Sequence, residues 1–532
     1  MRVHERSSPS VLAEFPLLAL LALSACEPAA MPPAPDAGVD GGTSTADAPA
    51  IEADAGPPGD DAPIGTDARA PDADRLDAGA PDAGSSVALR IATPWNGAVL
   101  GGARPRVHTL PGDVSATVEI CRDRACTDVA ETLSGVPPLS PASDLTRGRY
   151  FVRARASEGP WSTTFAFVVL GSGTSNASWL GYADFDGDGA EDGLLRFTLP
   201  ADHVATFEGG TGAPVASGWT RTLARSSFTA SRAAVVGDVD GDGYTDVVVE
   251  DLGLHLYRGG PEGLPAASED LAIARSDGTP RRCSLGWGPL GDVNRDGYAD
   301  VALTCDGSSA TAPAITWLQG GPDGLDTEAL LVGALPFGID GAYVGGFDAQ
   351  GDGYGDFFAP DGSYLVGGPF GPTAGPTLTV PCGDATLRYQ SFGDHDGDGM
   401  LELVEGRSVA CAAGLRTDDF DGATFGTSTD LAVANLGITG MDARRDVDGD
   451  GRTDVAVVTR RTGTQGVAVM ARGSGEITDV GLGVPRATVV EADFDGDGFS
   501  DALFSGAMGT ADWFPGSAAG LDVTRSARVV AP

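Results

Sequence analysis

Seven short segments of the chain place carboxylates at fixed intervals, in a pattern suited to metal binding. Each has the form Asp-x-Asp-x-Asp-Gly-x-x-Asp or a near variant, and the copies recur about every 51 residues. They occupy residues 184–192, 238–246, 292–300, 348–356, 394–402, 446–454 and 493–501, and four of them carry no substitution. Recurrence at one period indicates a repeat protein in which every repeat presents one such loop.

Oxygen-rich loops with this spacing predict calcium ligands. Calcium takes six to eight oxygens at about 2.3 to 2.6 Å, and glycine at position 6 permits the tight curl that brings them together. We expect side-chain oxygens from positions 1, 3, 5 and 9 and a backbone carbonyl from position 7. Loop by loop, these ligands are Asp184, Asp186, Asp188, Ala190 and Asp192; Asp238, Asp240, Asp242, Tyr244 and Asp246; Asp292, Asn294, Asp296, Tyr298 and Asp300; Asp348, Gln350, Asp352, Tyr354 and Asp356; Asp394, Asp396, Asp398, Met400 and Glu402; Asp446, Asp448, Asp450, Arg452 and Asp454; and Asp493, Asp495, Asp497, Phe499 and Asp501.

Three loops depart from the pattern and are expected to bind more weakly. Gln350 replaces the short ligand at position 3, Arg295 puts a cation at position 4, and Glu402 replaces aspartate at position 9. His395 occupies position 2, which we expect to point outward. The aromatic residues at position 7 of four loops are expected to pack between repeats.

The sequence around the loops predicts strands. An EF-hand needs a glutamate at position 12 and flanking helices, but only one of the seven loops has an acid there, Glu405. Short runs of β-branched and apolar residues follow the last ligand instead, as in 246–249 (DVVV). A third run ends in a glycine-rich turn, as in 256–264 (LYRGGPEGL). About 50 residues per repeat suits the four short strands of one propeller blade, so an all-β fold is predicted.

The hairpin with its Asp-x-Asp-Gly-Asp-Gly loop, followed by the glycine-rich turn, resembles the FG-GAP or VCBS repeat. That repeat is the blade of the integrin α-subunit β-propeller and of many bacterial surface proteins. The resemblance covers residues 172–532 and implies a seven-bladed β-propeller with calcium loops on one face. Such propellers serve as adhesion heads, lectins, lyase scaffolds and spacers, so the resemblance alone does not select a function.

The amino terminus predicts export. Residues 15–23 (FPLLALLAL) form a short apolar core behind Arg2 and Arg6, which is typical of a signal peptide spanning 1–25. Residues 23–26 (LSAC) resemble the bacterial lipobox, which implies a mature chain lipidated on Cys26. The expected location is a bacterial membrane, at the outer membrane or cell surface. An ordinary secretory signal with a coincidental cysteine is the alternative.

Two further segments precede the repeats. Residues 27–85 contain 13 acidic and 2 basic residues and no aromatic residue, so 26–85 is predicted to be a disordered tether. Residues 86–171 predict a small β-sandwich, because apolar and polar residues alternate between closely spaced turns. The segment 148–155 (GRYFVRAR) followed by Trp161 resembles a fibronectin type III domain. An immunoglobulin-like sandwich of another topology would show the same pattern.

Six cysteines remain after Cys26, and an even number in an exported chain suggests disulfides. Their order along the chain favours three local pairs, Cys121–Cys126, Cys283–Cys305 and Cys382–Cys411. Zinc is a poor alternative, because no histidine stands near these cysteines and no Cys-x-x-Cys occurs.

Charge and composition exclude several functions. The formal net charge is −41, and 27 of the acidic residues lie in the seven loops, which argues against nucleic acid as a partner. The chain has no lysine, which removes Schiff-base and P-loop chemistry. His108, His203 and His255 have no serine or cysteine nucleophile near them in sequence, and no Gly-x-Ser-x-Gly occurs. We therefore expect no catalytic residues.

These patterns predict a calcium-binding, lipid-anchored recognition or adhesion protein. Its partners would be the membrane, through Cys26, and an unidentified surface protein or glycan. The rivals are a polysaccharide lyase or hydrolase on a propeller scaffold and a purely structural spacer. We expect the ligand site on the face without calcium loops, with 306–314 and 361–375 as candidate segments.

Overall fold

A computed structural model of the chain describes residues 87–531 apart from 198–200, 224–231, 275–278, 286–288, 307–312, 329, 335–343, 359–362, 378–388, 408–413, 432–436, 461–465, 472–476, 481–487 and 507–508. The chain divides into two units, Met1–Ala68 and Arg69–Pro532, and every described residue belongs to the second. The predicted signal peptide, Cys26 and the tether lie outside the described residues. In the part of the chain that is described, no helix is long and apolar enough to cross a membrane.

Seven strands form an amino-terminal module: β1 (Arg90–Thr93), β2 (Ala98–Leu100), β3 (His108–Leu110), β4 (Ala116–Cys121), β5 (Val129–Gly135), β6 (Gly148–Ala156) and β7 (Phe165–Val169). β1 pairs with β3, while β2, β7, β6, β4 and β5 lie side by side in that order. Ile91 of the small sheet and Val118, Val152 and Phe167 of the larger one share one buried core. The predicted all-β module is therefore present, and its kinship with fibronectin type III domains stays a prediction.

The loop-bearing part of the chain also consists of strands. They are β8 (Ser178–Leu180), β9 (Gly193–Phe197), β10 (His203–Glu208), β11 (Val215–Thr222), β12 (Arg232–Gly237), β13 (Asp246–Asp251), β14 (Gly253–Tyr257), β15 (Glu269–Asp270), β16 (Cys283–Leu285), β17 (Val301–Asp306), β18 (Pro313–Leu318), β19 (Leu330–Ala334), β20 (Val344–Asp348), β21 (Asp356–Phe358), β22 (Ser363–Val366), β23 (Thr373–Thr377), β24 (Tyr389–Gly393), β25 (Leu401–Arg407), β26 (Gly414–Phe420), β27 (Phe425–Leu431), β28 (Gly437–Arg445), β29 (Asp454–Arg460), β30 (Gly466–Ala471), β31 (Ile477–Val480), β32 (Val489–Ala492), β33 (Asp501–Ser505), β34 (Thr510–Phe514) and β35 (Ala527–Val530).

Five of the seven loops join the first two strands of a separate four-stranded sheet. These sheets are β12–β15, β16–β19, β24–β27, β28–β31 and β32–β35, and in each the strands follow one another in sequence order. All their pairings are antiparallel. The described part of the molecule is thus all-β, and its repeats form a β-propeller arrangement with five blades of this kind.

The prediction of seven like blades is wrong, because the other two loops lie in different sheets. The loop at 184–192 follows β8, but β8 pairs with β2 and β20 and leaves β9–β11 as a three-stranded sheet. The loop at 348–356 joins β20 to β21, and β20–β23 forms one end of a ten-stranded sheet that continues through β8 into the module. The strand that would complete the first blade is used to attach the module.

Neighbouring sheets cover one another on both faces, which explains the continuous apolar runs. In β13, Val247, Val248 and Val249 are all buried, one side packing with the preceding sheet and the other with the next. The last sheet packs against the first, since one core cluster joins Leu195 and Phe207 to Trp513. The sheets that carry the loops therefore close on themselves.

Candidate metal sites

All seven loops have the same backbone framework, held by their own carboxylates. The position 1 carboxylate accepts the position 6 amide at 2.6 to 3.2 Å in every loop. The position 5 carboxylate accepts the position 7 amide at 2.7 to 3.1 Å in every loop. Aspartate readily forms such side-chain turns, so the spacing in the sequence folds each loop locally.

Glycine at position 6 has the conformation that the sequence predicted. Its φ is positive in every loop, ranging from +84° at Gly399 to +96° at Gly243. That region carries a steric penalty for residues with a Cβ, so glycine lets the chain curl around the carboxylates.

The position 9 acid connects the loop to the rest of its sheet. In the loop at 238–246, Asp246 accepts the Val239 amide through Oδ2 and the Gly259 amide through Oδ1, both at 2.8 Å. Gly259 begins the glycine-rich turn after the third strand. The same carboxylate–glycine bond joins Asp192 to Gly209, Asp300 to Gly320, Asp356 to Gly367 and Asp501 to Gly516.

The carboxylates converge closely enough to hold a metal ion. Ligand oxygens lie within 4.8 Å of one another in at least four loops, through Asp184, Asp186 and Asp192; Asp238, Asp240 and Asp246; Asp394, Asp396, Asp398 and Glu402; and Asp446, Asp448 and Asp454. The acids at positions 1 and 9 of these loops are buried. Several carboxylates brought together away from water repel one another, and a bound cation removes that repulsion. The residues present therefore fit a metal ion.

Burial shifts the titration of these acids strongly. Desolvation, followed by the charges of Asp242 and Asp240, raises the pKa of Asp238 to about 8. Burial raises the pKa of Asp501 to about 8 and that of Glu402 to about 9. For Asp184 burial raises the pKa to about 6, and the nearby Arg124 guanidinium opposes that rise. Without a cation, several of these acids hold protons near neutral pH.

The three departures from the pattern have visible consequences. The Gln350 side chain turns out of its loop, since its Nε2 donates to Tyr364 Oη at 2.9 Å and to the Gly422 carbonyl at 3.2 Å. Arg295 adopts a φ of +55°, and its guanidinium lies 4.6 Å from the centre of the Tyr354 ring. Glu402 keeps the bond of position 9 to the position 2 amide.

Five loops are bonded to the preceding loop along the chain. The position 8 amide of one loop donates to the position 1 carbonyl of the preceding loop, as from Thr245 to Asp184 at 2.9 Å and from Ala299 to Asp238 at 2.8 Å. The position 7 aromatic ring covers the position 4 glycine of the preceding loop, where a Cβ on Gly241 would lie 2.6 Å from the Tyr298 ring. The prediction that these aromatics pack between repeats is confirmed.

The side chain at position 2 is buried in most of the loops, which contradicts the prediction for His395. His395 is only 4% exposed, although we expected it to point outward. Phe185, Val239 and Phe494 occupy the same position in other loops and are also buried. The position 2 amide is bonded to the position 9 acid. The side chains of Phe185, Val239 and Phe494 pack in the cores between neighbouring sheets.

The two candidate ligand segments do not both lie where they were expected. Segment 306–314 joins β17 to β18 at the strand ends away from the loops, although 307–312 lies outside the described residues. In 361–375, the turn at 367–371 returns to the loop side. There Gly367 donates to Asp356 Oδ1 at 3.0 Å, and Gly368 donates to the Val293 carbonyl at 2.9 Å. The expectation is wrong for that turn.

The amino-terminal module covers the loop side of the repeats. Arg124 Nη1 lies 3.0 Å from Asp184 Oδ2, and Arg147 Nη2 lies 2.6 Å from Asp446 Oδ2. Asn96 Nδ2 donates to Asp238 Oδ2 at 3.2 Å. Similar contacts run from Arg90 to Tyr298, from Trp95 to the Gly353 carbonyl and from Ser175, in the segment after β7, to the Gly399 carbonyl.

The contact between the amino-terminal module and the loops was not predicted from the sequence, although the charge of the module indicated it. Residues 86–171 hold nine arginines against seven acids in a chain of net charge −41. A positively charged module beside seven acidic loops predicts attraction between them. The pattern did not identify which arginines take part.

Two of the three predicted disulfides are present. Cys121 pairs with Cys126, and Cys283 pairs with Cys305 across β16 and β17. The first closes a tight loop around Arg124 and so helps to aim its guanidinium. Cys382 and Cys411 lie outside the described residues, and their pairing stays a prediction.

The histidines considered for catalysis serve local contacts. His108 Nδ1 lies 2.8 Å from Thr93 Oγ1, His203 Nδ1 lies 2.8 Å from the Ala201 carbonyl, and His255 Nδ1 lies 2.8 Å from Asp270 Oδ1. Burial, helped by Arg295 and Arg106, lowers the pKa of His108 to about 4. None of these contacts pairs a histidine with a serine or cysteine nucleophile.

Comparisons with known proteins give remote structural likenesses only. No family model matches the chain, and no curated protein matches its sequence. A mutant of AofleA from Arthrobotrys oligospora is 12% identical, with a TM-score of 0.33 over 57% of this chain and 87% of that one. The BP39L lectin from Burkholderia pseudomallei is 12% identical, with a TM-score of 0.30 over 73% and 99%. Bacillus licheniformis rhamnogalacturonan lyase PL11 is 14% identical, with a TM-score of 0.21 over 82% and 76%. At these values the likenesses identify neither a family nor a function.

Proposed function

We propose that this chain is an exported, calcium-binding recognition protein that is held at a bacterial surface by a lipid on Cys26. Its partner is a surface protein or glycan, and its role is adhesion rather than catalysis. The sheets provide a rigid scaffold, calcium stiffens the loops on one side, and the ligand binds at the other side.

The single observation that carries the proposal is the convergence of buried carboxylates in the repeated loops. Two ligands on opposite sides of a calcium ion stand about 4.6 to 5.2 Å apart, since each lies 2.3 to 2.6 Å from the metal. The ligand oxygens in at least four loops lie within 4.8 Å of one another, which is compatible with that spacing. An all-oxygen ligand set favours a hard cation such as calcium over zinc or copper.

The position of the module supports a ligand site on the opposite side. Module residues contact the loops through Arg90, Trp95, Asn96, Arg124 and Arg147. A surface already covered by the chain's own domain is not free for a large partner. The connections between second and third strands lie at the other end of the sheets, and they include the exposed turn at Leu252, which is 83% exposed.

Export is supported by the disulfides. Bonds such as Cys121–Cys126 and Cys283–Cys305 persist in oxidising compartments and are rare in the cytosol. The lipid on Cys26 and the acidic tether at 26–85 complete the proposal, because they would hold the folded part away from the membrane.

The test is binding of the purified chain to a glycan array and to intact bacterial cells, with calcium and with EDTA. Residues 307–312 and 359–362 connect second to third strands, from β17 to β18 and from β21 to β22. Replacing both by short Gly-Ser turns should abolish binding and leave calcium-dependent melting unchanged. Phe370→Ser is the matched control, because Phe370 is 78% exposed in the turn on the loop side. Retained binding by the grafted variant would move the ligand site elsewhere. Turnover of a polysaccharide by the purified chain would replace recognition with catalysis.

A further inference from the structure

The contacts between the module and the loops differ in charge from one loop to another. Two loops, 184–192 and 446–454, receive an arginine on the position 1 carboxylate. The loops at 238–246, 348–356 and 394–402 receive neutral groups from Asn96, Trp95 and Ser175. Arg124 also donates to the Gly243 carbonyl, and Arg90 donates to the Tyr298 hydroxyl, but neither of these contacts is to a position 1 carboxylate. The module therefore places a guanidinium directly on the position 1 carboxylate in two of the candidate metal sites.

Both arginine contacts are partly shielded from water. The Arg124 side chain is 20% exposed and Asp184 is 2% exposed, while Arg147 is 25% exposed and Asp446 is fully buried. Arg124 is anchored further, because its Nη2 donates to the Gly243 carbonyl of the next loop at 2.5 Å. Charges in such surroundings are screened by salt much less than exposed pairs are.

An arginine and a metal ion compete for the same carboxylate, because both are positively charged. The guanidinium neutralises part of the charge of the empty loop and so stabilises the docked module. A divalent cation bound to the same loop repels the guanidinium and removes much of the negative charge that attracts it. Because linkage is reciprocal, a module that docks more tightly on the empty loop must lower the affinity of that loop for the cation by the same factor.

We infer that Arg124 and Arg147 make the docking of the amino-terminal module responsive to calcium, through the loops at 184–192 and 446–454. This inference rests on the proposed calcium binding. Calcium entering these two loops loosens the arginine-bearing edges of the module, at 122–128 and 146–150. Arg258 and Arg525 also pair with ligand carboxylates, those of Asp240 and Asp495, but both arginines belong to the repeats, so calcium in those loops does not act on the module.

The first measurement is hydrogen exchange of the full chain in EDTA and in calcium. Exchange at 122–128 and 146–150 should rise when calcium is added. Strands of the module that lie outside these two edges, such as β4 and β7, should not change, because their packing does not depend on the loops. Exchange at the two arginine-bearing edges that is unchanged or slower in calcium would overturn the inference, and this experiment needs no variant.

The second measurement is a calcium titration by calorimetry of wild type and of the double variant Arg124→Gln, Arg147→Gln. Two sites of the double variant should bind about tenfold more tightly, as removal of a like charge close to the ion predicts. Arg104→Gln is the matched control, because Arg104 pairs with Asp144 at 2.6 Å within the module and should leave the isotherm unchanged.

The outcomes separate the two proposals. A wild-type chain that takes up no calcium at any site would defeat the proposed function and this inference with it. Calcium uptake with identical isotherms for wild type and the double variant would overturn the inference alone and leave calcium binding intact.

Discussion

At the scale of single residues, each carboxylate of a loop has both a structural and an electrostatic role. Asp238 accepts the amides of Gly241 and Gly243 through separate oxygens, and Asp246 accepts those of Val239 and Gly259. The loop is thus preformed, and a metal ion has little backbone ordering left to impose. Preformed sites lose less conformational entropy on binding than disordered ones.

Removing one ligand should remove the calcium contribution of one site. Asp240→Ala deletes the position 3 ligand of the loop at 238–246. At about 1 mM calcium and millimolar to sub-millimolar affinity, it should cost about 0.4 to 1.4 kcal/mol of calcium-dependent stability. Gln350→Ala is the control, because that side chain already bonds to Tyr364 and Gly422 outside its loop. Denaturation with calcium and with EDTA measures the difference, and equal calcium dependence in the two variants would count against the ligand assignment.

The fall in stability with rising pH should disappear or reverse when calcium is added. Burial raises the pKa of Asp238 to about 8, of Asp501 to about 8 and of Glu402 to about 9, above the values of the unfolded chain. Acids with a raised pKa stabilise the folded state below the unfolded pKa and lose that contribution as pH rises through the folded pKa. In EDTA the urea midpoint should therefore fall between about pH 6 and pH 9.

With saturating calcium the same midpoint should stay level or rise over that range, because the cation stabilises the ionised acids. Urea denaturation at pH 5.5, 7 and 9 in both buffers makes the comparison. A midpoint in EDTA that rises with pH would contradict the electrostatic account of these loops.

At the scale of elements, the repeating unit is a hairpin whose loop is bonded to the turn after the third strand. The spacing of aspartates and the glycine at position 6 predicted the loop correctly, because local hydrogen bonds determine its geometry. The burial of position 2 was missed, since it depends on the neighbouring sheet. The apolar residues at position 2 of the other six loops were the signal in the sequence, and the polar His395 concealed it in its own loop.

The glycine-rich turn offers a direct test of this packing. A Cβ on Gly259 would lie 2.6 Å from the Thr245 carbonyl oxygen and 2.7 Å from Tyr244 Cβ. Gly259→Ala should therefore destabilise the chain by about 1 to 3 kcal/mol, as overpacking does in other cores. At Gly260 a Cβ meets nothing within 4 Å, so Gly260→Ala should be close to neutral. Equal stabilities of the two variants in urea denaturation would contradict the close approach of the turn to the loop.

At the scale of the whole molecule, the sequence predicted the all-β class, the repeats and two disulfides, but not how the module and repeats join. The period of the loops suggested seven like blades. β8 instead pairs with β2 through Val99 and Trp179, and Trp179 Nε1 donates to the Arg444 carbonyl at 2.9 Å. Pairing between strands so far apart in sequence leaves no local pattern, so the period of the loops could not reveal it.

Attachment of the whole molecule to a membrane depends on the predicted lipid on Cys26. Metabolic labelling with a palmitate analogue should mark the wild-type chain and miss Cys26→Ser, because the lipobox cysteine is the expected acceptor. The Ser24→Ala variant serves as a control, since alanine at that position keeps the small residues before Cys26. Equal labelling of wild type and Cys26→Ser would leave an ordinary secretory signal as the better interpretation.

The central claim is that calcium in the repeated loops holds the propeller together. Seven sites at about 1 mM calcium add roughly 3 to 10 kcal/mol in total, which is comparable with the stability of a whole domain. For a propeller of this size, that corresponds to a melting temperature roughly 4 to 13 °C higher in calcium than in EDTA. The decisive measurement is thermal unfolding of the full chain in 1 mM calcium and in EDTA. We predict a shift of that size, and a melting temperature that is the same in both buffers would contradict the account.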